Sequence, residues 1–315
     1  MRRTYVTVGA YLLALLLTLG ACGSDSGLPP NDPLYPDQTN LAELHIETAW
    51  AAGMTGKGVR IAVIDTGVAS HPDLNEKRIT GKSYVGADED DFTDRVGHGT
   101  FIAGILAATR GNGKGIAGMT DSNLVILKVW NDSGQISVTA LAQAIRDAVD
   151  TYGCGVINIS MGTPNDNAEL RDAVTYAAEC GAILVASAGG TTNVPIYPAA
   201  YDCVVGVDAL NTDGKLPEGA ARNGSAFVTA PGEKLVSLSV NGGYVRDGAG
   251  ASYAAAQVTA LAAIAKQQQP RLTGEGFMEL LTASAADKGA AIYDTEYGWG
   301  TVDAGLLVEA LKKQG

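Results

Sequence analysis

Positive charge is in short supply in this chain. Its 315 residues hold 22 Lys and Arg against 34 Asp and Glu, a formal charge of −12. That balance argues against nucleic-acid binding, which needs clustered cationic groups. No internal repeat is visible, and the 40 glycines follow no three-residue period, which excludes a collagen-like rod. Only 18% of residues are charged while 46% are hydrophobic, a composition that excludes a disordered chain. The apolar run from Val6 to Leu19 is too short to favour a membrane-spanning helix.

That run has another use. Arg2 and Arg3 precede it, and Leu19-Gly20-Ala21-Cys22 ends it. A basic start, an apolar middle and small residues before a cut read as a secretory signal. The last four residues resemble the bacterial lipobox, whose cysteine is lipidated. Residues 1–21 are therefore expected to be a signal peptide. Cys22 would be the lipidated N-terminus, with a tether to about residue 31. The resemblance implies an exported lipoprotein of the cell envelope, held to a membrane by its lipid. With Gly23 after the cysteine, the outer membrane is expected if two are present.

The remaining cysteines are Cys154, Cys180 and Cys203. Export permits a disulfide. Cys180 and Cys203 each precede an apolar, strand-like run, and adjacent parallel strands would bring them close. A Cys180–Cys203 bridge is the favoured pairing; Cys154 competes for Cys180, and three free thiols are the third option.

Short apolar runs at Val59–Ile64, Leu124–Val129, Val156–Ile159, Ile183–Ala188 and Val204–Val207 read as buried parallel strands. Helical patterns alternate with them at about Phe101–Ala108, Val138–Tyr152 and Ala168–Glu179. Further helices are expected over Ser252–Lys266 and Ala304–Lys313, with shorter strands and turns at 226–246. The alternation predicts an α/β domain whose parallel sheet is covered on both faces. No linker-like break interrupts 32–315, so one domain is expected.

Three motifs carry chemistry. Ala62-Val63-Ile64-Asp65-Thr66-Gly67 puts a carboxylate at the C-terminal end of a strand, where such sheets place their sites. Gly97-His98-Gly99-Thr100 opens an apolar helix with a histidine. Gly250-Ala251-Ser252 sets a hydroxyl at another helix N-terminus. Singly, each residue is more simply a cap or turn residue. Together they are the carboxylate, imidazole and hydroxyl of nucleophilic acyl transfer.

The order Asp, His, Ser and the flanking residues resemble the subtilisin-like serine proteases, the subtilases. AVIDTGV at 62–68 and GHGT with IAG at 102–104 match closely; GASYAAAQV at 250–258 matches less well. His71-Pro72-Asp73-Leu74, Asn158-Ile159-Ser160-Met161-Gly162 and Ala230-Pro231-Gly232 also recur in order. The resemblance implies a seven-stranded, mainly parallel sheet flanked by helices. It implies catalytic roles for Asp65, His98 and Ser252 in an endopeptidase acting on peptides or proteins as a monomer. It also implies a cleft in which Ser133-Gly134-Gln135 and Ser160-Met161-Gly162 grip an extended substrate. No cofactor is expected for catalysis. Asp32, Asp73 and Asn112 match positions that hold a structural Ca²⁺ in related enzymes.

Two departures concern the oxyanion. The family's asparagine donor falls at Gly190, and the threonine before the serine is Ala251. Removing one such donor costs about 10²–10³ in kcat, a figure that comes from subtilisin itself. Thr191, Thr192 or Asn193 are candidate substitutes. The alternative reading is therefore a subtilase-like protein that binds peptides and turns over little or nothing.

Overall fold

The computed structural model describes residues 29–131, 133–190 and 193–314. The expected signal peptide, Cys22, Thr191 and Thr192 lie outside them.

Seven parallel strands form the central sheet: β1 (Arg60–Asp65), β2 (Ile79–Ser83), β3 (Asn123–Lys128), β4 (Val156–Ile159), β5 (Ile183–Ser187), β6 (Val204–Leu210) and β7 (Val228–Pro231). Their spatial order is β2-β3-β1-β4-β5-β6-β7. From β1 the chain runs out to the edge strand β2, returns through β3, then passes β1 and winds on from β4 to β7, which puts a switch of direction on either side of β1. Ligand sites gather at such switch points, beyond the strand C-termini. β1 lies between β3 and β4, with Ile64 level with Leu127 on one side and Ile159 on the other. The apolar runs are buried on both faces, as parallel sheets require. A two-stranded antiparallel ribbon, β8 (Leu235–Leu238) and β9 (Tyr244–Gly248), stands apart.

Short helices α1 (Thr39–Glu43) and α2 (Ile46–Ala51) precede the sheet. The larger ones are α3 (His98–Ala107), α4 (Val138–Asp150), α5 (Ala168–Glu179), α6 (Ala251–Gln268), α7 (Gly274–Ser284) and α8 (Ala304–Gln314). Two apolar layers result. Residues of α3, α6, α7 and α8 pack on one face, with Val63, Val185 and Val207 facing them. α4 and α5 cover the other, against Ala62, Ile64 and Leu184. α6 is buried nearly all round, from Ala254 to Ala265. A helix apolar on every side belongs inside the core.

The expected Cys180–Cys203 disulfide is not made; Cys154, Cys180 and Cys203 are free thiols. The register gives the reason. Val204 pairs with Leu184, so Cys203 lies level with Ile183, three residues beyond Cys180. Cys180 caps the C-terminus of α5, on the far side of the turn that enters β5. Adjacent strands do not bring together cysteines so offset along them.

Candidate active site

Asp65 is the last residue of β1 and is fully buried. Its Oδ1 accepts the Thr66 backbone N–H at 2.7 Å. His98 is the first residue of α3, and its Nδ1 stands 2.8 Å from Asp65 Oδ1 and 3.0 Å from Oδ2. A buried carboxylate on Nδ1 leaves Nε2 as the face free to take a proton.

Local chemistry locks this pair. Thr66 Oγ1 accepts the Gly99 N–H at 2.9 Å, tying the end of β1 to the first turn of α3. A side chain at Gly99 would lie 2.1 Å from the Gly67 carbonyl, so only glycine allows the approach. The buried Asp94, which the sequence reading passed over, holds the other side. Its carboxylate accepts from the backbone N–H groups of Val96, Gly97 and Thr100 and from the Thr100 hydroxyl, at 2.7–2.9 Å. Thr100 Oγ1 in turn accepts the Ala69 N–H at 3.0 Å. The available signal was an acid four residues before a helix-opening histidine, a pattern suited to capping orphan N–H groups.

These groups set the charge of His98. Burial pulls its pKa down, but the Asp65 charge, the Asp65 hydrogen bond and the Asp94 charge outweigh burial. The net direction is up. Asp94 is held below the usual carboxylate range, its N–H and hydroxyl donors overcoming the cost of burial.

Ser252 stands in the first turn of α6, after Gly250 at φ 146°. Its Oγ donates to the Ser160 carbonyl at 3.0 Å, and the Ser160 hydroxyl donates back to the Ser252 carbonyl at 3.3 Å. Among the described residues Ser252 makes no hydrogen bond to His98. The neighbouring Tyr253 stacks its ring on His98, with centroids 5.5 Å apart, and packs on Phe101 at 4.1 Å. Beneath Ser160, Asn158 Nδ2 donates to its hydroxyl at 2.7 Å, and Thr259 of α6 donates to Asn158 Oδ1 at 2.9 Å.

The expected cleft segments follow the strands on either side of β1. Ser133-Gly134-Gln135 lies in an exposed turn after β3, where Asn131 Oδ1 accepts the N–H groups of Ser133 and Gln135. Ser160-Met161-Gly162 follows β4. Trp130 Nε1 bridges the two walls to Met161 Sδ at 3.3 Å. At the oxyanion position Gly190 offers no side chain. Asn193 Oδ1 accepts the Arg222 backbone N–H at 2.9 Å, which ties that residue to a neighbouring loop.

Asp32, Asp73 and Asn112 do come together, as a hydrogen-bonded knot. Asp32 accepts the N–H groups of Gly111 and Asn112 at 2.7 and 3.0 Å. Asp73 accepts Asn112 Nδ2 at 2.7 Å and the Ile116 N–H at 3.0 Å. Asn112 Oδ1 accepts the Lys114 N–H at 2.7 Å. A calcium ion needs oxygens turned toward it; here Asn112 presents N–H to the carboxylate, and the acids face backbone donors. As arranged, the three residues do not fit the ion. No group of three or more His, Cys, Asp or Glu side chains among the described residues could hold a metal.

Comparison with known proteins gives the family and the fold. Residues 56–300 match the sequence pattern described as the subtilase family. The chain is 34% identical over 269 residues to the minor extracellular protease Epr of Bacillus subtilis, covering 84% of this chain and 41% of that one. It thus spans well under half of that relative's length. It is 33% identical over 266 residues to subtilisin Savinase of Lederbergia lenta, covering 84% of this chain and 96% of the other. A solved structure titled as proteases from Pseudoalteromonas arctica superposes with a TM-score of 0.82 at 26% identity, covering 90% of this chain and all of that one.

Proposed function

Because the chain belongs to the subtilase family, we propose that it is a serine endopeptidase working through an acyl-enzyme on Ser252. The observation that carries this reading is the pairing of buried Asp65 with His98 Nδ1 at 2.8 Å, with Ser252 in the first turn of α6 next to the Tyr253 that stacks on His98.

The chemistry follows from the geometry. The Ser252 hydroxyl turns from the Ser160 carbonyl toward the free Nε2 of His98. As Oγ attacks the peptide carbonyl, Nε2 takes its proton, and the Asp65 carboxylate stabilises the imidazolium and holds its tautomer. The imidazolium returns that proton to the departing amine, leaving an ester on Ser252. Water attacks the ester with the same base, and the acid product leaves. The oxyanion meets the backbone N–H of Ser252 and the N-terminal end of α6. With Gly190 and Ala251 in place of side-chain donors, turnover is slower than in a fully equipped site.

The substrate is a peptide or protein segment laid between Ser133–Gln135 and Ser160–Gly162. Arg2, Arg3, the apolar run and Leu19-Gly20-Ala21-Cys22 support export and lipidation at Cys22. Hydrolysis of a quenched fluorescent peptide tests the reading. Wild type cleaves it, whereas Ser252→Ala and His98→Ala lose about 10⁴-fold or more in kcat. Equal rates from all three would reject the proposed mechanism.

A further inference from the structure

A pocket of about 470 Å³ opens beside Ser252. Neither cleft segment lines it; its walls include Gly190, Ala251, Asp208, Glu218 and Glu233. The substrate's acyl side runs between the cleft segments, so this pocket lies on the side of the departing amine. Three of its lining residues are acids, and none is Lys, Arg or His.

Asp208 is the telling member. It sits near the end of β6, only 5% exposed. Its Oδ1 accepts the Ala209 backbone N–H at 2.7 Å. Its Oδ2 meets no donor among the described residues. Gly189 packs closely beside it: a methyl there would lie 2.7 Å from Asp208 Oδ1 and 2.4 Å from Ala251 Cβ, so only glycine allows the approach. Burial pushes the Asp208 carboxyl up, opposed by the Ala209 N–H. A buried carboxyl with one unused oxygen is costly alone and gains from a cation that reaches it.

We propose that this pocket receives a lysine side chain of the substrate, from the residue immediately after the cleaved bond, paired with Asp208. Lysine fits better than arginine because Oδ1 is already engaged. One free oxygen suits a point charge on a flexible stem, whereas a guanidinium fork gains most from two. Glu218 and Glu233 at the rim attract the same charge. The inference rests on the peptidase reading above, whose failure is distinguishable from its own.

The test uses quenched fluorescent peptides that differ only after the cleaved bond, carrying Lys, Arg, norleucine or Glu. Norleucine keeps the apolar stem and removes the charge. Wild type should cleave the Lys peptide with kcat/KM about tenfold or more above norleucine, with Arg between them and Glu last. Asp208→Asn should bring the Lys-to-norleucine ratio to within about twofold of one, and Glu218→Gln with Glu233→Gln should lower it partway. Calorimetric binding of the same peptides to Ser252→Ala gives a readout independent of turnover. Lys-selective binding without any cleavage would sink the peptidase reading and keep the pocket. Equal handling of Lys and norleucine in both assays would overturn the proposal. So would a Lys preference that survives Asp208→Asn, or one that persists undiminished in the rim variant should Asp208→Asn fail to fold.

Discussion

Ser160 and Ser252 clasp each other: the Ser252 hydroxyl donates to the Ser160 carbonyl at 3.0 Å, and the Ser160 hydroxyl donates to the Ser252 carbonyl at 3.3 Å. The clasp joins the end of β4 to the first turn of α6 and rests on buried Asn158 and Thr259. Turning the hydroxyl to His98, as the proposed mechanism requires, breaks the first of these two bonds and leaves the second, between the Ser160 hydroxyl and the Ser252 carbonyl, to hold the helix. The supporting network should be costly to cut. Thr259→Val keeps the shape but strips Asn158 Oδ1 of its donor, and should destabilise the fold by about 1–3 kcal/mol. Urea unfolding measures this; an unchanged midpoint would show that the network carries no such load.

Gly190 leaves room for the donor it lacks. It is not among the residues with positive φ, and among the described residues a methyl placed there would meet only Ile196, at an ordinary 3.9 Å. Gly190→Asn should therefore fold and raise kcat, by about 10- to 10³-fold if its amide reaches the oxyanion. The gain should appear in kcat more than in KM, because the interaction forms in the transition state. No gain in a folded variant would mean that the oxyanion is already fully served.

His98 must be neutral to act as a base. Burial lowers its pKa, but the Asp65 charge and hydrogen bond and then Asp94 raise it further, to a net value above the ordinary 6.5. The acid limb of kcat/KM should accordingly fall above pH 6.5, with activity rising as His98 loses its proton. Asp94→Asn removes one source of the rise and should move that limb to lower pH. The sign for stability is opposite. Protonated His98 contributes fully below pH 6.5, and that contribution is lost as pH climbs through the raised folded-state value. A pH series of kcat/KM on both proteins checks the shift; coincident limbs would contradict it.

The Asp32–Asp73–Asn112 knot satisfies itself with hydrogen bonds. Asn112→Ala removes a donor from the buried Asp73 carboxylate and should cost about 1.5–3 kcal/mol. EGTA should leave the thermal midpoint of wild type in place. A fall on chelation, restored by Ca²⁺, would show that the acids turn inward around an ion.

Much of this was legible from residue order alone. The runs at Val156–Ile159 and Ile183–Ala188 gave buried strands because both faces of a parallel strand must be apolar. α5 was readable to its ends, with Asn167 accepting the Leu170 N–H as a cap. β2 escaped because Ile79–Ser83 is an edge strand, half exposed and without an apolar run. α7 escaped because Gly274 and Gly276 weaken its helical signature. Asp65, His98 and Ser252 carried motifs of their own. Asp94 and Asp208 did not: Asp94 is one of several acids at 88–94, Asp208 is a lone acid following the apolar run of β6, and the burial of each depends on segments that only folding brings near. The cysteines misled for a related reason, since position before a strand does not fix register along it.

The most direct measurement of the central claim is the intact mass of the protein after treatment with a fluorophosphonate. The account predicts one covalent adduct, mapped by peptide mass to Ser252, absent from Ser252→Ala and formed far more slowly by His98→Ala. A folded wild type that gains no adduct, or gains one at the same rate without the imidazole, would contradict it.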